Sequence, residues 1–270
     1  MDVAVVVVGD EILAGHVRER NAHFIAERLH EHGHALRRVV VVPDDPAEIA
    51  GEVRVSRSLA WMVVVCGGLG PTHDDRTMEG VALALGRPLA ICDALAERID
   101  ALVSEIGAAG FGGEEFGAGG LRKMAMAPAG AEMLETPSGV LPAVVVEEGP
   151  GPVVILPGPP RALQLVWAEA VEDRYLRGTG AELLTVEVAH PYPESTVAEL
   201  LKDLQERYPG TSIGSYPQRE RSLVRIKGPH EDVSAVERSV REHLAALDES
   251  EAGRRFRAFV DERRAKLPPV

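Results

Sequence analysis

Three short strand-like runs near the start of the chain, two of them wholly apolar, each closed by a turn and followed by a helical pattern, narrow the possible folds more than any other feature. Val3–Val8 ends at Gly9, Leu36–Val42 ends at Pro43-Asp44, and Trp61–Cys66 ends at Gly67. Continuous apolar runs suit strands buried on both faces, as in a parallel sheet covered by helices. The segments between them supply those helices. Ala22, Ile25, Ala26 and Leu29 recur at helical spacing, with Gly33 placed to cap the end. Asp45 reads as an N-cap with Pro46 in the first turn and Glu48 three residues on, and Ile49, Val53 and Ala60 face inward. Met78, Val81, Ala82 and Leu85 form a third stripe ended by Gly86. The β-α-β-α-β-α order predicts an α/β fold, a three-layer parallel-sheet domain.

Farther along, Asp93–Ile106 reads as a helix and 107–120, with Phe111 and Phe116 among many glycines, as a flexible excursion and candidate lid. Pro142–Glu147 and Val153–Leu156 read as strands joined by a turn at Glu148–Gly151, and Leu163, Val166, Trp167 and Ala170 mark the next helix. The pattern changes near Arg174–Gly180. Leu184, Val186 and Val188 alternate with polar residues, which predicts a half-exposed strand. A helix (Val197, Leu200, Leu201, Leu204), two strands (Thr211–Tyr216, Ser222–Lys227) and a last helix (Val233 to Leu247) complete a small β-α-β-β-α unit of α+β type. The expected organisation is a first domain over 1–175, a small domain over 181–247 and a charged tail over 248–270.

The chain has 270 residues, 45% apolar and only 4% aromatic, so its core must be aliphatic. A net charge of −13 argues against general nucleic-acid binding, which needs a positive surface. The two cysteines, Cys66 and Cys92, sit in or beside apolar stretches and read as free core thiols. No leader pattern opens the sequence and no apolar segment reaches the length of a membrane span, so a cytoplasmic protein with no membrane partner is expected.

Four loops should meet at the C-terminal edge of the parallel sheet, where α/β folds bind ligands. They are Gly9-Asp10-Glu11, with Asn21 farther on; Pro43-Asp44-Asp45; Gly67–Thr77; and Pro157-Gly158-Pro159-Pro160. Glycines let backbone N–H groups approach an anion, and a helix start adds a positive end. The adjacent carboxylates suit a hard divalent cation. Together they point to a phosphate-bearing ligand held with a metal. Asp45 is read first as a cap, Asp10 as a turn former or a ligand contact, and Asp44 as evenly balanced. Asp74 and Asp75 together exceed what a cap needs. Thr72 either bonds phosphate or closes the turn. His30, His32 and His34 read as a solvated surface cluster, and His73 as outward-pointing. No Walker loop, Gly-x-Gly-x-x-Gly run, Gly-x-Ser-x-Gly elbow or zinc-type cysteine spacing is present.

At these residues the chain resembles the CinA family (competence/damage-inducible protein A), which shares the molybdopterin-binding fold of MoaB and MogA. The resemblance rests on Gly9-Asp10-Glu11-Ile12-Leu13-Ala14-Gly15, Asn21, and Gly67-Gly68-Leu69-Gly70-Pro71-Thr72 through Asp74, Asp75 and Thr77. Pro128, Gly130-Ala131, Gly139 and Leu156-Pro157-Gly158-x-Pro160 match further signatures, and Gly214–Pro217 resembles the KH-like domain that follows. It spans about residues 1–247. Thr136 stands where the family commonly has Asn. The amidase domain of longer relatives would begin where this sequence stops, so that activity is not carried over. The small domain lacks a Gly-x-x-Gly loop between helices, which again argues against nucleic acid.

The resemblance implies a metal-dependent pyrophosphatase that converts ADP-ribose or a related dinucleotide to AMP and a sugar phosphate. Catalytic roles fall to Asp75, Asp74 and Asp44, with Asp44 and Asp75 as metal ligands for Mg²⁺, Mn²⁺ or Co²⁺ and a monovalent cation as a further candidate. Substrate and phosphate contacts fall to Gly9, Asp10, Glu11, Asn21, Gly67, Gly68, Leu69, Gly70, Thr72, Pro157, Gly158 and Pro160. A homo-oligomer is implied. The alternatives are a molybdopterin-binding protein that transfers an adenylyl group, and a nucleotide sensor without turnover.

Overall fold

The three runs pair side by side. Strand β1 (Asp2–Val8) lies between β2 (Ala35–Val42) and β3 (Met62–Cys66), parallel to both, with Val7 opposite Val41 on one side and Cys66 on the other. Strand β8 (Gly151–Leu156) extends the sheet parallel to β3, and β7 (Ala143–Glu148) and β6 (Glu132–Leu134) follow antiparallel. The reversal occurs at Gly149, whose φ of 66° makes the tight turn, and a short turn can only join antiparallel neighbours. The computed structural model describes residues 1–108, 118–137, 142–218 and 221–265. Most of the glycine-rich stretch with Phe111 and Phe116, and Gly139, lie outside them.

Alternate residues of each strand face opposite layers. Val3, Val5 and Val7 pack with Ile25 and Leu29 of α2 (Asn21–Glu31) and with Leu163 of α7 (Pro160–Val166), which continues as a π-helix over Trp167–Leu176. Val6 and Val8 pack against α3 (Pro46–Leu59), α4 (Thr77–Leu85) and α5 (Asp93–Ile106) through Ile49, Val53, Val81 and Leu95. Each buried valine of β1 contributes about 1.5–3 kcal/mol by leaving water, so a polar residue at Val5 would break the sheet at its centre. Short elements without readable periodicity complete this unit: α1 (Asp10–Leu13), α6 (Ala118–Lys123), and the antiparallel pair β4 (Leu89–Ile91) and β5 (Met126–Pro128).

The chain divides into two compact units, Met1–Ala181 and Glu182–Val270. In the second, β9 (Leu184–His190), α8 (Ala198–Arg207), β10 (Ser212–Pro217), β11 (Ser222–Gly228) and α9 (His230–Glu249) give an antiparallel sheet in the order β10-β11-β9. Val188, Leu204, Val224, Ile226, Val236 and Val240 form its core. Residues read as a charged tail extend this unit as α10 (Glu251–Ala265), where Phe256 packs on that core with its ring 5.8 Å from Tyr192.

The histidine cluster departs from the sequence expectation. His34 is only 3% exposed, with its ring nitrogens near the Met1 amine, the Leu176 carbonyl and the Thr179 hydroxyl. His32 lies 3.3 Å from the buried carboxylate of Glu172. Gly33, in the left-handed region at φ 73°, turns the chain inward into β2 and carries its neighbours with it.

Candidate functional site

The strand order β2-β1-β3 places the neighbours of β1 on opposite sides, so the connections diverge between β1 and β3. Crevices at such switch points, beyond the carboxyl ends of the strands, receive ligands in open α/β sheets. A cleft of about 520 Å³ opens here between the loops that follow β1, β3 and β8.

The loop after β3 forms its head. Gly67 and Gly68 adopt φ values of 101° and 60°, a left-handed pair that glycine takes at least cost. A Cβ on Gly67 would stand 2.1 Å from the Val8 carbonyl oxygen, and one on Gly68 would stand 2.5 Å from the Thr77 hydroxyl. The fully buried Thr77 locks the turn: its hydroxyl donates to the Gly67 carbonyl at 2.7 Å and its N–H to the Gly68 carbonyl at 3.2 Å. Helix α4 begins at this residue with no side-chain cap, which leaves first-turn N–H groups for an anion.

Asp75, expected as the leading carboxylate, lines the cleft. Its Oδ2 accepts the Thr72 N–H at 2.9 Å and the Thr72 hydroxyl. It therefore closes its own loop and does not cap α4. Lys123 on α6 braces the same loop, donating to the carbonyls of Thr72 and Asp75, the latter at 2.7 Å. Asp74 is exposed, and the Thr72 hydroxyl beside it holds its carboxyl below the usual range.

Asp44 sits beside the turn, its Oδ1 3.1 Å from the position of a Gly68 Cβ and its Oδ2 accepting the Asp10 N–H at 2.8 Å. Burial, then the negative charges of Asp10, Glu11 and Asp74, push its carboxyl above the usual range despite that hydrogen bond. Asp45 is the helix cap, with Oδ1 accepting from Ala47 and Glu48 at 2.8 and 3.0 Å.

The fourth loop closes the cleft. Gly158 approaches the glycine turn so closely that its Cβ would stand 3.2 Å from the Gly67 Cα. Asn21, 7% exposed at the start of α2, donates its amide to the Gly158 carbonyl at 2.8 Å. The amide assigned from sequence to phosphate thus ties the first loop to the fourth.

Of the expected residues, Glu11, Asn21, Gly67 to Gly70 and Asp75 lie on the cleft wall, as do Pro157, Gly158 and Pro160. Gly9, Asp10, Asp44, Thr72 and Asp74 support or flank it. Three residues escaped the sequence reading. Lys123 lies far along the chain in a helix too short to show a pattern. Arg18 and Arg20 line the cleft mouth, both exposed and, among the described residues, without an ion-pair partner. Their basic spacing just before Asn21 was the available signal.

Among the described residues no group of three or more histidine, cysteine or acidic side chains could hold a metal ion. Mg²⁺ commonly takes one or two carboxylates and completes its shell with water and substrate phosphate, so Asp44 and Asp75 are the residues that would hold one in an open site. The accumulation of negative charge around Asp44 suits a cation there. Among the described residues no helix is long and apolar enough to cross a membrane. Cys66 is buried and Cys92 half-buried, both free; burial pushes the Cys66 thiol up to about 12.

The chain and its fold match known proteins. The family described as "Probable molybdopterin binding domain" matches residues 4–205, and "FAD synthase, middle domain" matches residues 182–251. A protein of Thermococcus kodakarensis is 35% identical, over 89% of this chain and 95% of its own. A CinA-like protein of Mycobacterium tuberculosis is 36% identical over 77% of this chain, which spans about half (50%) of that relative. The crystal structure of CinA from Thermoplasma acidophilum, a protein described as of unknown function, has 34% identity and a TM-score of 0.55, covering 64% of this chain and 96% of its own. The chain belongs to the CinA family, with a domain of the molybdopterin-binding type.

Proposed function

We propose that the cleft binds a nucleotide diphosphate and hydrolyses its pyrophosphate bond, ADP-ribose giving AMP and ribose 5-phosphate. The observation that carries this reading is the left-handed Gly67-Gly68 turn at the switch point, backed by the uncapped start of α4. Backbone N–H groups of this turn would donate to phosphate oxygens and hold the charge that develops on them. Arg18 and Arg20 at the mouth would draw in the anion and orient it. Asp44 and Asp75 would hold a divalent ion, which when bound offsets the diphosphate charge and lowers the pKa of water. In the reaction the water oxygen bonds to one phosphorus, the bridging P–O bond breaks, and both products leave as phosphate monoesters. Asp75 lines the cleft beside the turn, which makes it the first candidate for holding the ion or accepting the water proton.

A second reading, molybdopterin binding with adenylyl transfer, is favoured by the description of the matching family. AMP release from ADP-ribose separates the two. The assay uses purified protein with Mg²⁺, Mn²⁺ or Co²⁺ and with EDTA as control. Metal-dependent release, lost in Asp75→Ala, is expected. No release with any metal sinks the pyrophosphatase reading; tight nucleotide binding without release would instead favour a sensor.

A further inference from the structure

A second cavity, about 100 Å³, lies against the same glycine loop. The two cavities share Gly68, Leu69, Gly70, Asp75, Met124 and Pro157, so the loop backbone is a wall common to both. The walls peculiar to the second include Met78, Leu95, Met126 and Val144. Packed interiors leave few voids larger than a water molecule, yet here Leu69, Met78 and Met124 stop short of full burial at the edge of an otherwise close-packed core.

The lining chemistry identifies the occupant. Three of the six methionines of the chain, Met78, Met124 and Met126, line this space, and among the described residues no aromatic side chain does. Unbranched thioethers adapt to a flat guest and make favourable sulfur contacts with aromatic rings. Three charged residues line the cavity and all are engaged, Asp75 with Thr72 of its own loop. Glu79 pairs with Arg76 at 2.8 Å, and the Lys123 ammonium is held by loop carbonyls. Among the described residues a second phosphate would find no free cation in this cavity, whereas an uncharged planar ring would find mostly apolar walls.

We infer that this cavity receives the nucleobase of the ligand, a planar heteroaromatic ring, while the phosphates occupy the larger cleft across Leu69. The inference rests on the proposed nucleotide reading of that cleft and adds the group that sets its selectivity.

Calorimetric titration of the full chain with AMP and with ribose 5-phosphate tests it. In the unaltered protein AMP binds about tenfold or more tightly, the surplus of a buried ring. Met126→Trp, on β5, and Leu89→Trp, on the neighbouring β4, each fill the cavity from a half-buried position. In either variant AMP binding falls to the level of ribose 5-phosphate, ribose 5-phosphate binding is unchanged, and the circular-dichroism melting curve shows a folded protein. Two variants guard against one failing to fold, and the comparison of ligands on the unaltered protein needs neither. Equal affinity for the two ligands in the unaltered protein, or undiminished AMP binding in the filled variants, overturns the assignment while the cleft reading stands. Binding of neither ligand overturns both.

Discussion

The ammonium of Lys123 donates to the backbone carbonyl of Asp75 at 2.7 Å and also to that of Thr72. One side chain thus pins both ends of the turn that Asp75 closes from within through its own carboxylate. The glycine loop owes its shape to a residue 48 positions away in the chain.

Lys123→Met should therefore loosen the loop without dismantling the sheet. Losing two charge-assisted hydrogen bonds at a partly exposed site predicts nucleotide binding weakened about tenfold or more, with a modest fall in melting temperature. Calorimetry and thermal melting on the same preparation check this. Unchanged binding would show that Lys123 does not shape the site.

Gly67→Ala and Gly15→Ala should behave differently although both positions lie at positive φ. Nothing stands within 4 Å of a Cβ at Gly15, whereas one at Gly67 meets the Val8 carbonyl oxygen at 2.1 Å. The Gly15 variant is expected to lose only about 1 kcal/mol, the backbone penalty alone. The Gly67 variant must move β1 or the turn, and a loss of about 3 kcal/mol or more is expected. Urea denaturation measures both, and similar losses would contradict the contact.

Asp44→Asn should stabilise the fold at neutral pH and impair metal-dependent turnover. The Asp44 carboxyl is raised by burial and by neighbouring negative charge, so its ionised form is disfavoured in the native state. By linkage the gain from neutralising it is present above the raised folded pKa and vanishes as pH falls below the unfolded value of about 3.9. Melting temperature against pH, beside AMP release, tests the pairing of gain and loss. A variant less stable than the parent at pH 7 would refute it.

Acidification should weaken the fold in two stages. Burial holds the His34 imidazole below its ordinary pKa. Its contribution is complete above the unfolded value of about 6.5 and is lost as pH falls toward the lowered folded one. Burial alone would raise Glu172, but hydrogen bonds from Arg28, at 2.6 and 2.8 Å, and the His32 imidazole 3.3 Å away outweigh it and hold the carboxyl low. That contribution is complete above about 4.3 and is lost as pH falls through the folded value. Glu172→Gln should flatten the second stage and lower neutral-pH stability by about 2 kcal/mol. An unchanged acid limb in a melting-temperature profile would remove Glu172 from the account.

Much of the first unit was legible because its signals are local. Val3–Val8 and Met62–Cys66 are too apolar to lie anywhere but between two helical layers, although Trp61, read with the latter run, stays outside the strand and exposed, and Asp45 with Pro46 marks a helix start that the structure reproduces. Glycine spacing located the turn at Gly67 and Gly68 because left-handed backbone leaves a mark in composition. Contacts made at a distance left no such mark. The burial of His34 depends on a carbonyl at Leu176, and the bracing of the loop depends on Lys123. Asp75 shows the same limit: its sequence position fits a cap, and only the fold reveals that its partner is Thr72. Strands of three residues, such as Met126–Pro128, cannot display a period, so the walls of the second cavity went unseen.

The two cavities share the loop from Gly68 to Gly70 as a common partition. Displacing that partition widens one chamber at the expense of the other. Selection acting on the fit of one half of a ligand would therefore be felt by the other half, and a relative adapted to a bulkier guest on one side should show compensating changes on the opposite wall.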